Sequence, residues 1–191
     1  MTDLELIARV RQGDTAAFNS FYQRHHESLW RFLYYLEHNE TEARDLFQEV
    51  WLRLTKLLMT ETPVQNPRAL LFQMAANCRR DHLRRKRVRR IFFLAPPTTA
   101  KTSEPFAPAH ILTTRENAEH FELEARLATA LTELSEAHRQ VFLLKEWEGF
   151  GLAEIAALLG IPVGTVKSRL HHAVRFLQNE LRELREYSFE V

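Results

Sequence analysis

Four of the chain's seven prolines fall at positions 96, 97, 105 and 108, within a Thr- and Ser-containing stretch that runs from Ala95 to His110. Proline fixes φ and removes a backbone donor, so this stretch stops any helix and reads as a semi-extended linker. On either side of it the apolar residues recur with helical period. The expected fold is therefore all-α: two small helical domains, over 1–94 and 115–191, joined by a Pro/Thr-rich linker over 95–114. Five glycines and seven prolines in 191 residues are about half the average usage of the two, which argues against turn-rich β architecture.

In the first domain the pattern predicts helices over 3–12, 14–37, 41–59 and 67–90. Asp14 is placed to cap the second, and Asn66-Pro67 offers both an N-cap and a proline at a helix start. Thr60–Gln65 has no helical pattern and reads as an exposed loop. In the second domain helices are expected over 115–133, 136–148, 152–159 and 163–185. Ser135 is positioned to cap one of them, and Gly160 to end another.

The glycines, at 13, 149, 151, 160 and 164, do not allow a GxxxxGK[ST], GxGxxG or GxSxG motif. Neither HExxH nor a di-iron ExxH occurs. His25-His26 and His171-His172 are neighbours, and neighbours on a helix point about 100° apart, so they read as surface or partner-facing histidines. The expectation is no metal, no cofactor and no enzyme active site. Cys78 is alone, which excludes an intramolecular disulfide or a CxxC pair. The amino-terminal residues lack a basic signal region, and no apolar run approaches the roughly 18 residues of a membrane span. A soluble cytoplasmic protein without membrane insertion is expected.

Basic and acidic residues nearly cancel, 26 against 25, so the position of the charges matters more than their sum. Arg79–Arg90 holds eight basic residues and one acid, +7 in twelve positions, which leaves −6 for the rest of the chain. Phosphates would neutralise such a stripe and release counterions. On a helix, Leu71, Met74, Ala75, Cys78 and His82 share one side, while Gln73, Asn77, Arg80, Arg84 and Arg87 share the other. One helix can thus bury one face and offer the other to nucleic acid.

A second pattern spans Leu152–Ala173. A short amphipathic helix, a Gly turn, a Pro and a second helix form a helix-turn-helix, whose second helix lies in the DNA major groove. Val163, Val166, Leu170, Ala173 and Leu177 form the expected buried stripe. Thr165, Ser168, His171, His172 and Arg175 fall outward with Lys167 and Arg169 on the flanks, as donors for phosphates and base edges. A third pattern, Glu42–Leu54, sets Leu46, Val50, Leu54 and Leu57 on a core stripe and gathers Asp45, Gln48, Glu49 and Leu52 on another side. That mixed acidic and apolar face suits a protein partner.

Together these stretches resemble the extracytoplasmic-function sigma factors, the small two-domain promoter-recognition subunits of bacterial RNA polymerase. Glu42–Leu54 is similar to the family's polymerase-binding helix, and Pro67–Arg90 to its promoter-melting and downstream-element helix. Leu131–Gly149 and Ile161–His171 are similar to its fourth region nearly residue for residue. The resemblance covers about 10–94 and 118–182. Arg44 departs from the acid frequent at its position, and His172 stands where arginine is frequent.

The resemblance implies a non-enzymatic role: binding core polymerase, directing it to a promoter class and helping to open the duplex. Asp45, Gln48, Glu49 and Leu52 would meet the clamp helices of the largest subunit, and the second domain would sit on the flap of the other large subunit. Asn77, Arg80, Arg84 and Arg87 would handle the downstream promoter element, with Thr60–Asn66 holding a flipped non-template base. Thr165, Lys167, Ser168, Arg169, His171, His172 and Arg175 would read the upstream element. An anti-sigma factor is the implied regulator. An ordinary DNA-binding regulator would need the helix-turn-helix but not Glu42–Leu54. An RNA-processing enzyme would use the basic stripe but lacks a catalytic constellation.

Overall fold

The computed structural model describes residues 1–60, 62–93 and 126–187, and among these every regular element is helical. The expected linker over 95–114, the helical expectation over 115–125 and the tail 188–191 lie outside the described residues. Helix α1 (Asp3–Arg11) opens with a capping box in which the Thr2 hydroxyl accepts from the Glu5 amide and the Glu5 carboxylate accepts from the Thr2 amide. In α2 (Thr15–Glu37) the Asp14 carboxylate accepts from the Ala17 amide at 3.0 Å. That amide and the Arg9 guanidinium hold the Asp14 carboxyl below its usual range. Asn39 caps α3 (Glu40–Leu58), and the Asn66 side chain accepts from the Ala69 amide at 2.9 Å at the start of α4 (Pro67–Phe93). Asp14 and Asn66 are the caps that the sequence signals; Thr2 and Asn39 lie where apolar periodicity gives no start signal.

The second half contains α5, helical over 126–133, then α6 (Glu136–Phe142), a π turn over Leu143–Trp147, α7 (Leu152–Leu159) and α8 (Val163–Tyr187). The expected single helix over 136–148 is thus two segments. In the π turn the Glu148 amide reaches back five residues to the Leu143 carbonyl at 3.1 Å, and Gly149, at φ +69°, turns the chain out. Ser135 stands at the N-cap of α6 without capping it, because its hydroxyl pairs with His138 Nδ1 at 2.9 Å. Gly160, at φ +66°, ends α7 as expected. Pro162 is the N-cap of α8: its carbonyl accepts from the Thr165 and Val166 amides.

The chain divides into two units: α1 to α4 belong to the first, and α5, α6, the π turn and α8 to the second. In the first, α2 and α3 pack along each other and α4 crosses α1, α2 and α3. Phe21, Phe32, Leu46, Leu54, Leu71 and Phe72 are fully buried there, with the Phe32 and Phe72 rings edge to face at 5.4 Å. In the second, α6 packs on α8, and Leu131, Val141, Leu144 and Val166 are buried. Arg139 is buried as well, and its guanidinium donates to the Thr132 and Leu134 carbonyls at 3.0 and 2.7 Å, closing the end of α5.

Candidate nucleic-acid interface

Helix α4 carries the basic run, and the structure sorts its cations into two groups. Arg79 is buried: its Nε lies 2.7 Å from a Glu37 carboxylate oxygen, and it donates to the Leu36 carbonyl at 3.1 Å. Arg85 donates to Glu49 at 3.3 Å, Lys86 donates to Glu42, and His82 Nε2 lies 3.6 Å from Glu42. These carboxylates come from the end of α2 and from α3, so one side of the run is neutralised within the unit. Arg80, Arg84 and Arg87 are exposed together with Asn77. The Arg80 guanidinium donates to the Asn77 side-chain oxygen at 3.3 Å, which places the two as one polar pair on the outer face.

The electrostatics follow from that sorting. Burial pushes the Glu37 carboxyl up against the pull of Arg79. At Glu42 burial acts in the same direction, yet the bonded Lys86 ammonium and nearby His82 outweigh it and hold the carboxyl below its usual value. Cys78 sits behind this network, buried, with its thiol pushed up to about 11 chiefly by burial. A thiol so protonated is a packing group rather than a nucleophile. His82, expected on the buried side, is half-buried, as is Met74, while Leu71, Ala75 and Cys78 are buried.

On α3, Asp45 and Gln48 are exposed and Leu52 retains 62% of its surface. Met59, seven residues past Leu52 and so on the same side, retains 70% and extends this face. Sequence reading missed it because the periodic pattern was followed along the core stripe, where Leu57 is half-buried and Leu58 buried. Glu49 differs from its three neighbours. It is half-buried and bonded to Arg53 of its own helix at 2.5 Å as well as to Arg85. Arg53 also lies 3.4 Å from Asp81 of α4. Arg44, the departure from the family pattern, turns back to Glu40 at 2.6 Å.

In the second unit α8 presents Lys167, Ser168, His171, His172 and Arg175 to solvent, while Thr165 and Arg169 are half-buried. The Ser168 hydroxyl donates to the Thr165 carbonyl at 3.1 Å. The His172 ring lies 5.6 Å from that of His138 and 6.0 Å from that of His171. Burial, then the His172 and Arg169 charges, lower the His138 pKa. The expected buried stripe needs correction at two positions. Val166, Ala173 and Leu177 are buried, but Leu170 is half-buried and Val163 retains 40% of its surface. Val163 is the first residue of α8, where helical spacing no longer guarantees a packing neighbour.

Two family models match the chain: Sigma-70 region 2 over residues 21–89, and Sigma-70, region 4 over residues 124–177. An extracytoplasmic-function sigma factor, SigL of Mycobacterium tuberculosis, is 34% identical over 179 residues, covering 93% of this chain and 96% of the relative. This chain belongs to the extracytoplasmic-function sigma factors. The RNA polymerase sigma-H factor of Pseudomonas aeruginosa is 28% identical, with 95% of each chain covered, and SigW of Bacillus subtilis is 26% identical, covering 93% and 96%. Among solved structures, the sigma factor RpoE of Bartonella quintana, in complex with the anti-sigma factor NepR, has the same fold. It gives a TM-score of 0.69 at 22% identity over 86% of this chain and 96% of that one.

The sigma factor binds core RNA polymerase and directs promoter-specific transcription initiation, and it is not itself an enzyme. The region 2 match runs from α2 to near the end of α4 and leaves α1 outside it. No helix among the described residues is long and apolar enough to cross a membrane. One histidine expectation is corrected. His25 is buried, not partner-facing: its Nε2 lies 2.7 Å from Asp3, its ring packs 4.6 Å from that of Phe21, and burial lowers its pKa. His26 stacks on Tyr22 at 5.2 Å.

Proposed function

We propose that the first domain, over 1–94, captures core polymerase with the α3 face of Asp45, Gln48, Glu49 and Leu52, directed at the clamp helices of the largest subunit. The outer face of α4, with Asn77, Arg80, Arg84 and Arg87, then handles the downstream promoter element. The second domain, over 115–191, rests on the flap of the other large subunit and reads the upstream element with Thr165, Lys167, Ser168, Arg169, His171, His172 and Arg175. The linker over 95–114 spans the two elements. The loop Thr60–Asn66 holds a flipped non-template base, and Arg11 of α1 donates to the Thr62 carbonyl in that loop. The protein acts in the cytoplasm under an anti-sigma factor, a reading supported by the similar sigma factor RpoE of Bartonella quintana, whose structure is a complex with the anti-sigma factor NepR.

The observation that carries this reading is the division of α4: Arg79, Arg85 and Lys86 are engaged by carboxylates of α2 and α3, while Arg80, Arg84 and Arg87 stay exposed beside Asn77, Arg84 lying 4.0 Å from Asp81 of its own helix. A helix held on one side by its own fold and cationic on the other is built to meet phosphates without leaving its domain. The test is run-off transcription from a genomic library by core polymerase and this protein. Reversal of Asp45 to Lys is expected to abolish core capture with the fold intact. Replacement of Asn77 is expected to leave core capture unchanged and impair duplex opening, scored by permanganate reactivity of unpaired thymines. Promoter opening indifferent to Asn77, Arg80, Arg84 and Arg87 alike would move the downstream contact to another face.

A further inference from the structure

Glu49 stands where two faces of the first unit meet. On α3 it flanks Asp45, Gln48 and Leu52, the face assigned above to polymerase. Its carboxylate also accepts from Arg53 at 2.5 Å and from Arg85 of α4 at 3.3 and 3.4 Å. Arg85 follows Arg84 directly and so lies about 100° round α4 from it. It is itself exposed, but on the side of α4 that faces Glu49. The two arginines are held unequally. Arg53 lies on the same helix as Glu49, makes the shorter bond, and is braced by Asp81 at 3.4 Å. Arg85 makes longer contacts, reaches across from another helix with its Nε donating to the Asp81 carbonyl of its own helix at 3.4 Å, and keeps 52% of its side chain exposed.

We propose that Arg85 is a further promoter-binding residue, held off DNA by Glu49 in the free protein and released to a backbone phosphate when a cationic group of core polymerase engages Glu49. The inference rests on the assignment of the α3 face to polymerase and of the α4 face to DNA. A cation is the fitting partner because Glu49 and the exposed Asp45 give this face its acidic character. Half-exposed ion pairs are weak enough to be exchanged. Arg85, with the looser hold, is the group displaced, and its planar fork suits a phosphate beside Arg84. Capturing polymerase thereby adds one cation to the DNA face with no movement of the backbone.

The test is the salt dependence of DNA binding. Holoenzyme assembled from core polymerase and the full-length chain is titrated with a promoter duplex at several salt concentrations, for wild type, Arg85→Ala and Arg85→Lys. The free proteins are titrated with the same duplex. One lost phosphate contact lowers the log–log salt slope by about 0.9. Arg85→Ala is expected to lower the holoenzyme slope by that amount and to leave the free protein's slope unchanged, while Arg85→Lys keeps both. Glu49→Gln is expected to raise the free protein's slope by the same step. Because linkage is reciprocal, Arg85→Ala, which removes a competitor for Glu49, also tightens core binding, by about two- to fivefold for a pair of this exposure. An equal loss of slope in free protein and holoenzyme would make Arg85 an ordinary ungated contact. No loss in either would leave the pair as a brace between α3 and α4, and each of these results overturns the proposal. The wild-type arms test the reading beneath it separately, since a wild-type chain that does not join core, or gains no promoter affinity with it, removes the polymerase face itself.

Discussion

In α4 a dense run of cations is divided between the fold and solvent, whereas in the sparser set of α8 Lys167 and Arg175 are left to solvent and Arg169 is half-buried. The cause is what surrounds each helix. α4 crosses three others, and the carboxylates of Glu37, Glu42 and Glu49 take up Arg79, Lys86 and Arg85. α8 packs on α6, and among the described residues Lys167, Arg169 and Arg175 enter no ion pair. A charge count therefore overstates the free cationic field of α4 more than that of Lys167, Arg169 and Arg175 on α8. The denser helix is partly a structural member, whereas the sparser one leaves most of the face proposed for promoter reading exposed.

The largest break in this comparison comes at Arg79. Removing one partner of a buried pair leaves the other charge without compensation, which costs about 3–5 kcal/mol. Arg79→Ala is expected to destabilise the protein on that scale in urea unfolding. Arg175→Ala on α8, an exposed position, is expected to stay within about 0.5 kcal/mol. Equal and small losses at both sites would mean that Glu37 is relieved by its own protonation, the direction in which burial pushes it. The Arg79 deficit would then reappear as pH rises.

The same contrast explains what was legible beforehand. Helical period located α3, α4, α7 and α8 and their faces, because a face is set by residues three and four apart. The Asp14, Asn66 and Gly160 boundaries were legible because each acts on its own neighbours. The partner of Arg79 was not, since Glu37 lies 42 residues away in the chain and helical spacing places a residue on a face without naming what it meets there. The burial of His25 against Asp3 is hidden for the same reason. The π turn over Leu143–Trp147 is invisible to a template that assumes one period throughout. At Val163 the period is correct but the helix has only begun, so the position it marks is covered only in part. Of the proposed binding residues on α8, Ser168, His171, His172 and Arg175 are exposed as their spacing implied, whereas Thr165, expected outward, is half-buried, and on α3 Glu49 is half-buried between two arginines.

A second effect separates reading from anchoring within α8. A cation near the amino-terminal part of a recognition helix meets guanine acceptors, and a good contact discriminates by about 1–3 kcal/mol. Lys167→Ala in holoenzyme is expected to relax preference at one or two upstream base pairs, measured on duplexes varied at each position. Arg175→Ala, further along, is expected to weaken all of them alike. Uniform losses for both would reduce α8 to an electrostatic anchor and bring it closer to α4.

On α4 the counterpart is uniform by expectation. Arg84→Ala should lower the salt slope by about 0.9 on every promoter without changing their ranking. A changed ranking would give the outer face of α4 a part in base reading and erase the division of labour between the two helices.

The smallest effect concerns protonation, and it again contrasts the two units. His25 and His138 both have pKa values lowered by burial. A histidine whose folded-state pKa lies below its unfolded value of about 6.5 gives stability that is present above that value and lost as pH falls through the folded pKa. Both units are thus expected to weaken in mild acid, for different reasons. At His25 burial leads, with Asp3 opposing it and the Arg68 and Arg24 charges adding to it at a distance. At His138 the His172 ring at 5.6 Å and Arg169 add their charges to burial. Replacing His172 with Gln should therefore raise the His138 midpoint and reduce the acid loss of the second unit, leaving the His25 midpoint unmoved. Ring-proton chemical shifts followed from pH 8 to 5 would read both midpoints in one titration. A His138 midpoint that stays put in His172→Gln would leave its shift to burial and Arg169, and the acid response of the second unit would then be set by the partial burial of His138 rather than by its histidine neighbour on α8.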